Sequence, residues 1–492
     1  MVGEDQQLHE ETAKGRPGLE RPEGWAFPRI SDILTVNYGK GLKKSSRKTG
    51  TVPVYGSNGL VGRHNNALTE GPTIILGRKG TVGAVNFSTV PCWPIDTTYF
   101  IDKFNGLVPG FIFHAMRSLN LGELDTSTAI PGLNRNDIYK QQIPLPPIPE
   151  QKRIVAKIEE LLARVIVARE RLAKVKGILK RFRQSVLAAA CSGRLTEDWR
   201  VKSNSVEDAG ILLARIRESF HRKGASHGGK AAAPTEGIHE LAREQIPESW
   251  DAAALKWLCS PGRPITYGIL KPGPHQGDGV PYIRVADFPK NYLEQSTIRK
   301  TSKAIAAQYE RSSLKAGDVL LSIRGTVGRV CRLPRSLEGS NITQDTARIS
   351  VHPEVCPEYV EIYLKSPIAQ KTLEKAMKGV AVRGVNIGDV RALQVAIPPR
   401  TEQQEIVRRV EALFNLADQI EKRVVAAGER AEKLTEAIVA KAFRGELVLT
   451  EASLARREGR SYEPASELLA KIRERSRKPQ RNPTESKKFK TK

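Results

Sequence analysis

Two stretches of the chain keep a strict alternation of four- and three-residue steps between apolar positions. The first runs Ile154, Ile158, Leu161, Val165, Ala168, Leu172, Val175, Leu179, Phe182, Val186. The second runs Ile406, Val410, Leu413, Ala417, Ile420, Val424, Ala427, Ala431, Leu434, Ile438. Such spacing, sustained over several heptads, is the seam of a helix that packs on another helix. The proline-rich segments "PLPPIPEQ" and "IPPRTEQ" precede the seams. Proline suits a helix entry and not its interior. Gly193 and Gly445 follow the seams and suit C-terminal stops. The pattern predicts helices over about 150–191 and 402–443, each about 60 Å long at ~1.5 Å per residue. The cheapest partner for each seam is the other one. Antiparallel pairing would set a globular unit at each end, about a pseudo-two-fold axis. The alternative is that each helix packs on its own domain.

Outside the helices the 3.5-residue period is lost, but blocks of sequence recur in the same order. "LGRKGTVGAV" at 76 returns as "LSIRGTVGRV" at 321, an offset of 245. The segment from Ile130 into the first helix returns at Val382, offset 252. "VLAAACSGRL" and "IVAKAFRGEL" share that offset, "LLARIRES" and "LLAKIRER" are 256 apart, and "RPEGW" is echoed by "IPESW". The chain is thus a tandem duplication of an α/β globular unit followed by a long helix. Between Trp25 and Ile130 little beyond the GTVG block matches its counterpart. Globular units that diverge faster than their helices suit a reader of two different ligands. The expected division is a disordered lead 1–20, globular domain 21–148, helix 149–195, linker 196–245, globular domain 246–398, helix 399–445, and 446–492 with a basic disordered tail. The linker reading rests on "HRKGASHGGKAAAPTEG". The tail could touch a DNA backbone or simply be solvated.

Charge narrows the ligand. Lys and Arg number 79 against 54 Asp and Glu, a net of +25. That field attracts polyanions, nucleic acid first. The five cysteines show no C-x2-C spacing, which argues against a disulfide framework or structural zinc and places the chain in a reducing cytoplasm. No apolar run is long enough to cross a membrane, and the charged first twenty residues are not a secretory signal. There is no Walker loop, HExxH or methyltransferase tetrapeptide. His64 and His114 are scattered, and Asp96, Asp137, Asp287, Asp345 and Asp389 stand singly. Neither metal site nor catalytic centre is expected.

"RPEGW", "YGSNGLVG", "GRKGTVG", "WPIDTTYF" and "IPGLNRNDI" running into "PLPPIPEQKRIVAKIEELL" resemble the DNA sequence-specificity subunits of type I restriction-modification systems. The resemblance covers almost all of 21–475. Its most specific element is the entry "PPIPEQKRIV", repeated as "PPRTEQQEIV". The second unit departs from it, with "YIRVADF" where the first has "YGSNGLV". The resemblance implies two target-recognition domains, each reading half of a split, asymmetric site on double-stranded DNA. The paired helices would act as a ruler. Two methyltransferase subunits would dock on the helices, and two motor-nuclease restriction subunits would join. S-adenosylmethionine, ATP and Mg would belong to those partners, with no cofactor and no catalysis on this chain. A coiled-coil scaffold without a nucleic-acid role is the alternative, and a fused methylase or nuclease a third reading that its missing motifs disfavour.

Glycine in the RGTVG-type loops lets backbone N–H groups and one cation approach a phosphate. A tight turn between two strands explains the same glycines. Base readout needs Arg, Lys, Asn, Gln or Ser on loops that face a groove. The candidates in the first domain are Tyr55, Ser57, Asn58, Arg63, His64, Arg78, Lys79, Asn134 and Arg135. In the second they are Arg284, Asp287, Arg324, Thr326, Arg329, Arg383 and Asn386. Tyr55 and Trp93 suit core packing equally well.

Overall fold

The computed structural model describes residues 21–124, 132–203, 207–222, 246–289, 292–379 and 383–477. The expected lead 1–20, the basic tail and the glycine-rich part of the linker lie outside the described residues. The chain divides into two units. Unit 1 holds residues 1–172 and 426–492, and unit 2 holds 173–425. Each boundary cuts a long helix midway. A unit therefore joins one globular domain and the N-terminal half of its own helix to the C-terminal half of the other copy's helix.

In unit 1 the strands are β1 (Asn37–Tyr38), β2 (Val52–Gly56), β3 (Gly59–His64), β4 (Thr73–Gly77), β5 (Val85–Ser88), β6 (Trp93–Pro94) and β7 (Thr98–Ile101). Four form an antiparallel sheet in the order β1-β7-β4-β5. Three form a second sheet, β3-β2-β6, in which β6 runs parallel to β2. Unit 2 carries β8 (Asp251–Ala254), β9 (Thr266–Tyr267), β10 (Val280–Ile283), β11 (Arg299–Thr301), β12 (Val319–Ser322), β13 (Val330–Arg332), β14 (Asn341–Ile342), β15 (Thr346–Ile349) and β16 (Gln394–Ile397). Its sheets read β9-β15-β12-β13 and β11-β10-β14, the latter again with one parallel pair. The two domains thus share strand order where their sequences share little. The central strands "TIILG" and "VLLS" are buried throughout. A strand covered on both faces asks only for an apolar run, which leaves residue identity free to drift.

The long helices run Ile148–Cys191 and Arg400–Phe443, 44 residues each. They pack against each other antiparallel. In unit 1 Arg169 meets Glu432 at 3.1 Å, and Arg153 reaches Leu449 O at 3.2 Å. In unit 2 Arg183 bonds Asp418 at 2.6 Å and Glu421 at 3.0 Å, and Arg409 meets Asp198 at 2.5 Å. Of the seam positions, Ile154, Ile158, Val165, Leu179, Ile406 and Val410 are buried. Leu161, Leu172, Leu413, Ile420 and Val424 are partly buried. Leu434 is a correction. It is exposed, and the covered stripe there runs Ala431, Thr435, Ile438, Ala442. The predicted seam positions on either side, Ala431 and Ile438, stay covered, so the departure is local: Thr435 takes the covered place of Leu434, and Ala168 of the first seam is likewise exposed.

The PEQ entries have a structural explanation. Trp25 Nε1 donates to Glu150 at 2.9 Å, and Trp250 Nε1 donates to Glu402 at 2.8 Å. Gln151 accepts from Val108 N (3.1 Å) and donates to Pro146 O (2.9 Å). Gln403 accepts from Cys356 N and donates to Pro398 O, both at 2.8 Å. Val108 and Cys356 are the N-caps of domain helices Pro109–Ser118 and Pro357–Lys365. All four Glu and Gln side chains are buried. Each domain is therefore locked to the first turn of its long helix. Burial pushes the Glu150 carboxyl above its ordinary range, against the bonds it receives from Glu451 N and Trp25.

The linker expectation is corrected in its first part. Glu197–Lys202 and Ala209–Arg222 are helical, and Leu212, Leu213, Ile216 and Phe220 enter the core of unit 2. Within 446–492, Glu451–Glu458 and Ala465–Arg477 are helices, with Ile472 in the core of unit 1. All five cysteines are free and buried. No helix among the described residues is long and apolar enough to cross a membrane.

Candidate nucleic-acid interface

The repeated decapeptides occupy equivalent places. Each crosses from one antiparallel strand to the next, β4 to β5 and β12 to β13. Gly83 N donates to Gly77 O at 2.9 Å, and Gly328 N donates to Ser322 O at 3.0 Å. Gly80, Gly83, Gly325 and Gly328 all have positive φ, from 70° to 88°, a region that a side chain disfavours. The hairpin-turn reading of these glycines is therefore correct.

The turns do more than reverse the chain. Lys79 forms a β-bridge with Gly132, and Arg324 forms one with Gly384. Leu133 N donates to Arg78 O and Val385 N to Ile323 O. Each GTVG turn is thereby stitched to the Gly-Leu-Asn or Gly-Val-Asn segment that opens a short helix, Arg135–Lys140 or Ile387–Ala392. Two of the repeated blocks meet at one edge of each domain.

In unit 1 that edge is cationic and aromatic. The guanidiniums of Arg78 and Arg135 lie 5.5 and 4.9 Å from the ring centre of Tyr38. Arg78 also donates to Asp96 O at 2.8 Å. Tyr38 packs edge-on against Tyr99 at 5.0 Å and stays 52% exposed. Lys79 and Asn134 are exposed, and the Asn134 side chain accepts from Asn136 N at 2.9 Å. Asn58 is exposed on the turn between β2 and β3. Arg63 is exposed but donates to Thr51 O at 2.7 Å, and Tyr55 is half-buried.

In unit 2 Arg324, Thr326, Arg383 and Asn386 are exposed around the equivalent turn. Arg324 makes one long contact to Gln344, at 3.4 Å, and the Asn386 side chain caps nothing. Arg329 reaches Val285 O at 3.0 Å. Tyr267 is 42% exposed at the end of β9, the place that Tyr38 holds on β1.

Three nominated side chains face inward, and a fourth is tied down. His64 is buried, accepts from Lys48 N at 3.0 Å through Nδ1, and packs edge-on against Trp93 at 5.5 Å. Ser57 is buried and donates to Thr97 O at 2.8 Å. Asp287 is fully buried and accepts from Arg284 N at 2.8 Å, Arg284 Nη2 at 2.6 Å and Thr297 Oγ1 at 2.9 Å. These groups spend their polar atoms on the fold, so they are corrected from readers to scaffold. Arg284 is largely held by the Asp287 pair and by Thr297 O at 2.9 Å.

Tyr38 and Tyr267 were missed by sequence reasoning. Their signal is a shared Tyr-Gly step, "NYGKGL" and "TYGILK". A Cβ on Gly39 would sit 2.0 Å from Ile95 O, and one on Gly268 would sit 1.9 Å from Ile342 O. Only glycine permits that approach, and it fixes the tyrosine beside the turn. Exposed cations with amide and aromatic neighbours can hold phosphates and present forks to base edges. No group of His, Cys, Asp and Glu among the described residues has metal-site geometry.

A family model described as the type I restriction modification DNA specificity domain matches the chain twice, at residues 22–176 and 271–427. The chain is similar to the EcoBI specificity subunit of Escherichia coli, 35% identical over 446 residues and 86% of each chain. It is also similar to the EcoKI specificity subunit of Escherichia coli K12, 29% identical over 465 residues, 87% of this chain and 90% of that one. Its fold resembles the HsdS subunit of Thermoanaerobacter tengcongensis, with a TM-score of 0.52 at 20% identity over 87% of this chain and 99% of that one. A chain solved in a study of type I restriction-modification assembly gives a TM-score of 0.58 at 18% identity, over 87% of this chain and all of that one.

Proposed function

We propose, from the premise that this chain belongs to the specificity subunits of type I restriction-modification systems and carries two DNA specificity domains, that each domain reads one half of a split, asymmetric duplex site. One observation carries this reading. Two domains of equal strand order present the same glycine turn, stitched to the same Gly-x-Asn segment, but surround it with different side chains. The shared backbone suits phosphates, which are the same everywhere. The differing side chains suit bases, which are not.

The long helices are the ruler in this reading. The buried Glu and Gln of each PEQ entry transmit helix position to the domain, so spacing is set by packed side chains and not by a loose joint. Exposed apolar residues on the helices, among them Ile166, Ile178, Leu416 and Val425, suit the docking of two methyltransferase subunits, with two restriction subunits joining them. S-adenosylmethionine, ATP and Mg act on those partners in the cytoplasm, and this chain contributes recognition without catalysis.

The test is a domain exchange in the assembled complex. Residues 21–145 are replaced by the matching segment of a relative with a different site. Methylation-pattern sequencing should then show one half-site changed and the other retained. A change in both halves at once refutes the two-reader model.

A further inference from the structure

The two four-stranded sheets share their order but not every side chain. Phe100 on β7 pairs with Ile75 on β4, whereas Arg348 on β15 pairs with Leu320 on β12, the same position in the second sheet. In the short helix beside the turn, Tyr139 of the first copy is replaced by Arg391. Both reach equivalent backbone: Tyr139 Oη accepts from Val36 N at 3.0 Å, and Arg391 donates to Ile265 O at 2.7 Å. The fold is built once with aromatic rings at these two places and once with arginines.

Arg348 is 3% exposed. It donates to the carbonyls of Arg311 (2.7 Å), Ser313 (3.3 Å) and Pro264 (2.8 Å), and its buried Nε has no partner. Arg263 Nε is orphaned in the same way. The nearby carboxylate, Asp318, is committed to Arg263 at 2.9 Å, Lys315 N at 2.8 Å and Ser350 at 2.6 Å. Burial, and then the Arg263 charge, make the Arg348 cation less favourable than usual. With Arg311, Lys315 and Arg391 it lines an open cleft of about 610 Å³ that holds one carboxylate, Glu310. Thr266, on the rim, adjoins the exposed Tyr267.

We propose that this cleft of unit 2 binds a phosphate group, which the first copy does not bind in the equivalent place. Arg348 and Arg391 spend donors on carbonyls, so the exposed Arg311 guanidinium and Lys315 ammonium supply the unspent donors for phosphate oxygens, with the other two cations behind them. A carbonyl staple alone needs neither the Tyr139-to-Arg391 exchange nor the exposed Arg311 and Lys315. The source is either a backbone phosphate of the duplex, which rests on the reading of this domain as a DNA reader, or a free phosphoanion.

The test uses the full chain with its partner subunits. The side chains of Arg311 and Lys315 make no hydrogen bond or ion pair among the described residues, so Arg311→Ala with Lys315→Ala leaves the fold intact. Duplex titrations across salt concentrations should give a log–log slope shallower by about one, equally on cognate and mismatched DNA. That result assigns a strand phosphate. An unchanged slope, with binding of inorganic phosphate weakened at least tenfold by calorimetry, assigns a free phosphoanion. Arg348→Phe, which copies the first domain, should have the same effect as the rim variant. If neither DNA slope nor phosphate binding changes, the site is overturned. Retained discrimination between cognate and mismatched duplex in that case leaves the reader function standing.

Discussion

Removing the Glu402 carboxylate should loosen the second recognition domain from its helix far more than the equivalent change at Glu150 loosens the first. Glu402 is fully buried and accepts from Trp250 Nε1 (2.8 Å), from Thr196 Oγ1 (2.6 Å) and from the Arg200 guanidinium. Breaking a buried pair by deleting one partner costs about 3–5 kcal/mol. Arg200 is 19% exposed and keeps Gly193 O at 2.7 Å, so the lower end applies, about 3 kcal/mol. At ~1.4 kcal/mol per decade that is roughly a hundredfold. Glu150 receives Trp25 Nε1 and Glu451 N but no cation directly. Its loss forfeits two hydrogen bonds, about 1–2 kcal/mol or roughly tenfold. Amide hydrogen exchange over 250–254 and 400–410 reads local opening. Glu402→Ala should speed it about a hundredfold there. Glu150→Ala should act about tenfold over its own helix entry. Glu402→Gln leaves one accepting oxygen, which keeps either the Trp250 bond or those from Thr196 and Arg200, and it removes the charge facing Arg200, so it should fall between wild type and Glu402→Ala. Equal effects at Glu402 and Glu150, or a silent Glu402→Gln, would show that the carboxylate does not lock the domain.

Further outcomes follow from the turns and the core. Lys79→Ala should weaken binding to all duplexes alike and make the salt slope shallower by about one; a loss confined to one base pair would mean that Lys79 reads sequence. Arg324→Ala should instead cost about 1–3 kcal/mol and relax one position of the site, which selection from randomised duplexes would reveal or refute. Tyr38→Ala should lower affinity through one half-site only, because Arg78 and Arg135 lose the ring they lie against; equal loss across both halves would count against this placement. His114 is buried, and that burial, followed by the nearby Arg117 charge, lowers its pKa to about 4. The unfolded chain, with an ordinary value near 6.5, therefore takes up the proton first. Unit 1 should be stable above about pH 6.5 and lose at most about 3 kcal/mol as pH falls toward 4. His114→Gln should flatten that dependence in urea titrations, and an unchanged profile refutes the assignment.

Much of this architecture is written as pattern. The seams announced the helices because helix pairing demands a period, and a period survives substitution. Between Trp25 and Ile130 the domain duplication is legible at little beyond the GTVG turn, where positive φ requires glycine. The sheets around it match strand for strand, yet "TIILG" and "VLLS" share one leucine, Leu76 and Leu321, and otherwise only small or apolar character. Site residues were harder. His64, Ser57 and Asp287 have the right chemistry for readout but point into the fold, and residue type does not record direction. Tyr38 and Tyr267 were overlooked because a tyrosine reads as core until its neighbouring glycine is seen pressed against a carbonyl. The helix Ala209–Arg222 reads as linker from composition, although "LLARIRES" recurs at the other end of the chain.

The division of the two units has a consequence for how the protein is made. Unit 2 is one unbroken stretch, residues 173–425, and can close as soon as it leaves the ribosome. Unit 1 cannot. Its first domain must wait through those 253 intervening residues for Ile438, Ala442 and Ile472 to complete its core. At about 5–20 residues per second, that delay is on the order of ten to fifty seconds. The first-made domain is thus the last to be finished, with apolar surface open to chaperones in the interval. A nonsense mutation near codon 430 would then strike the recognition domain farthest from it in the gene and spare the nearer one.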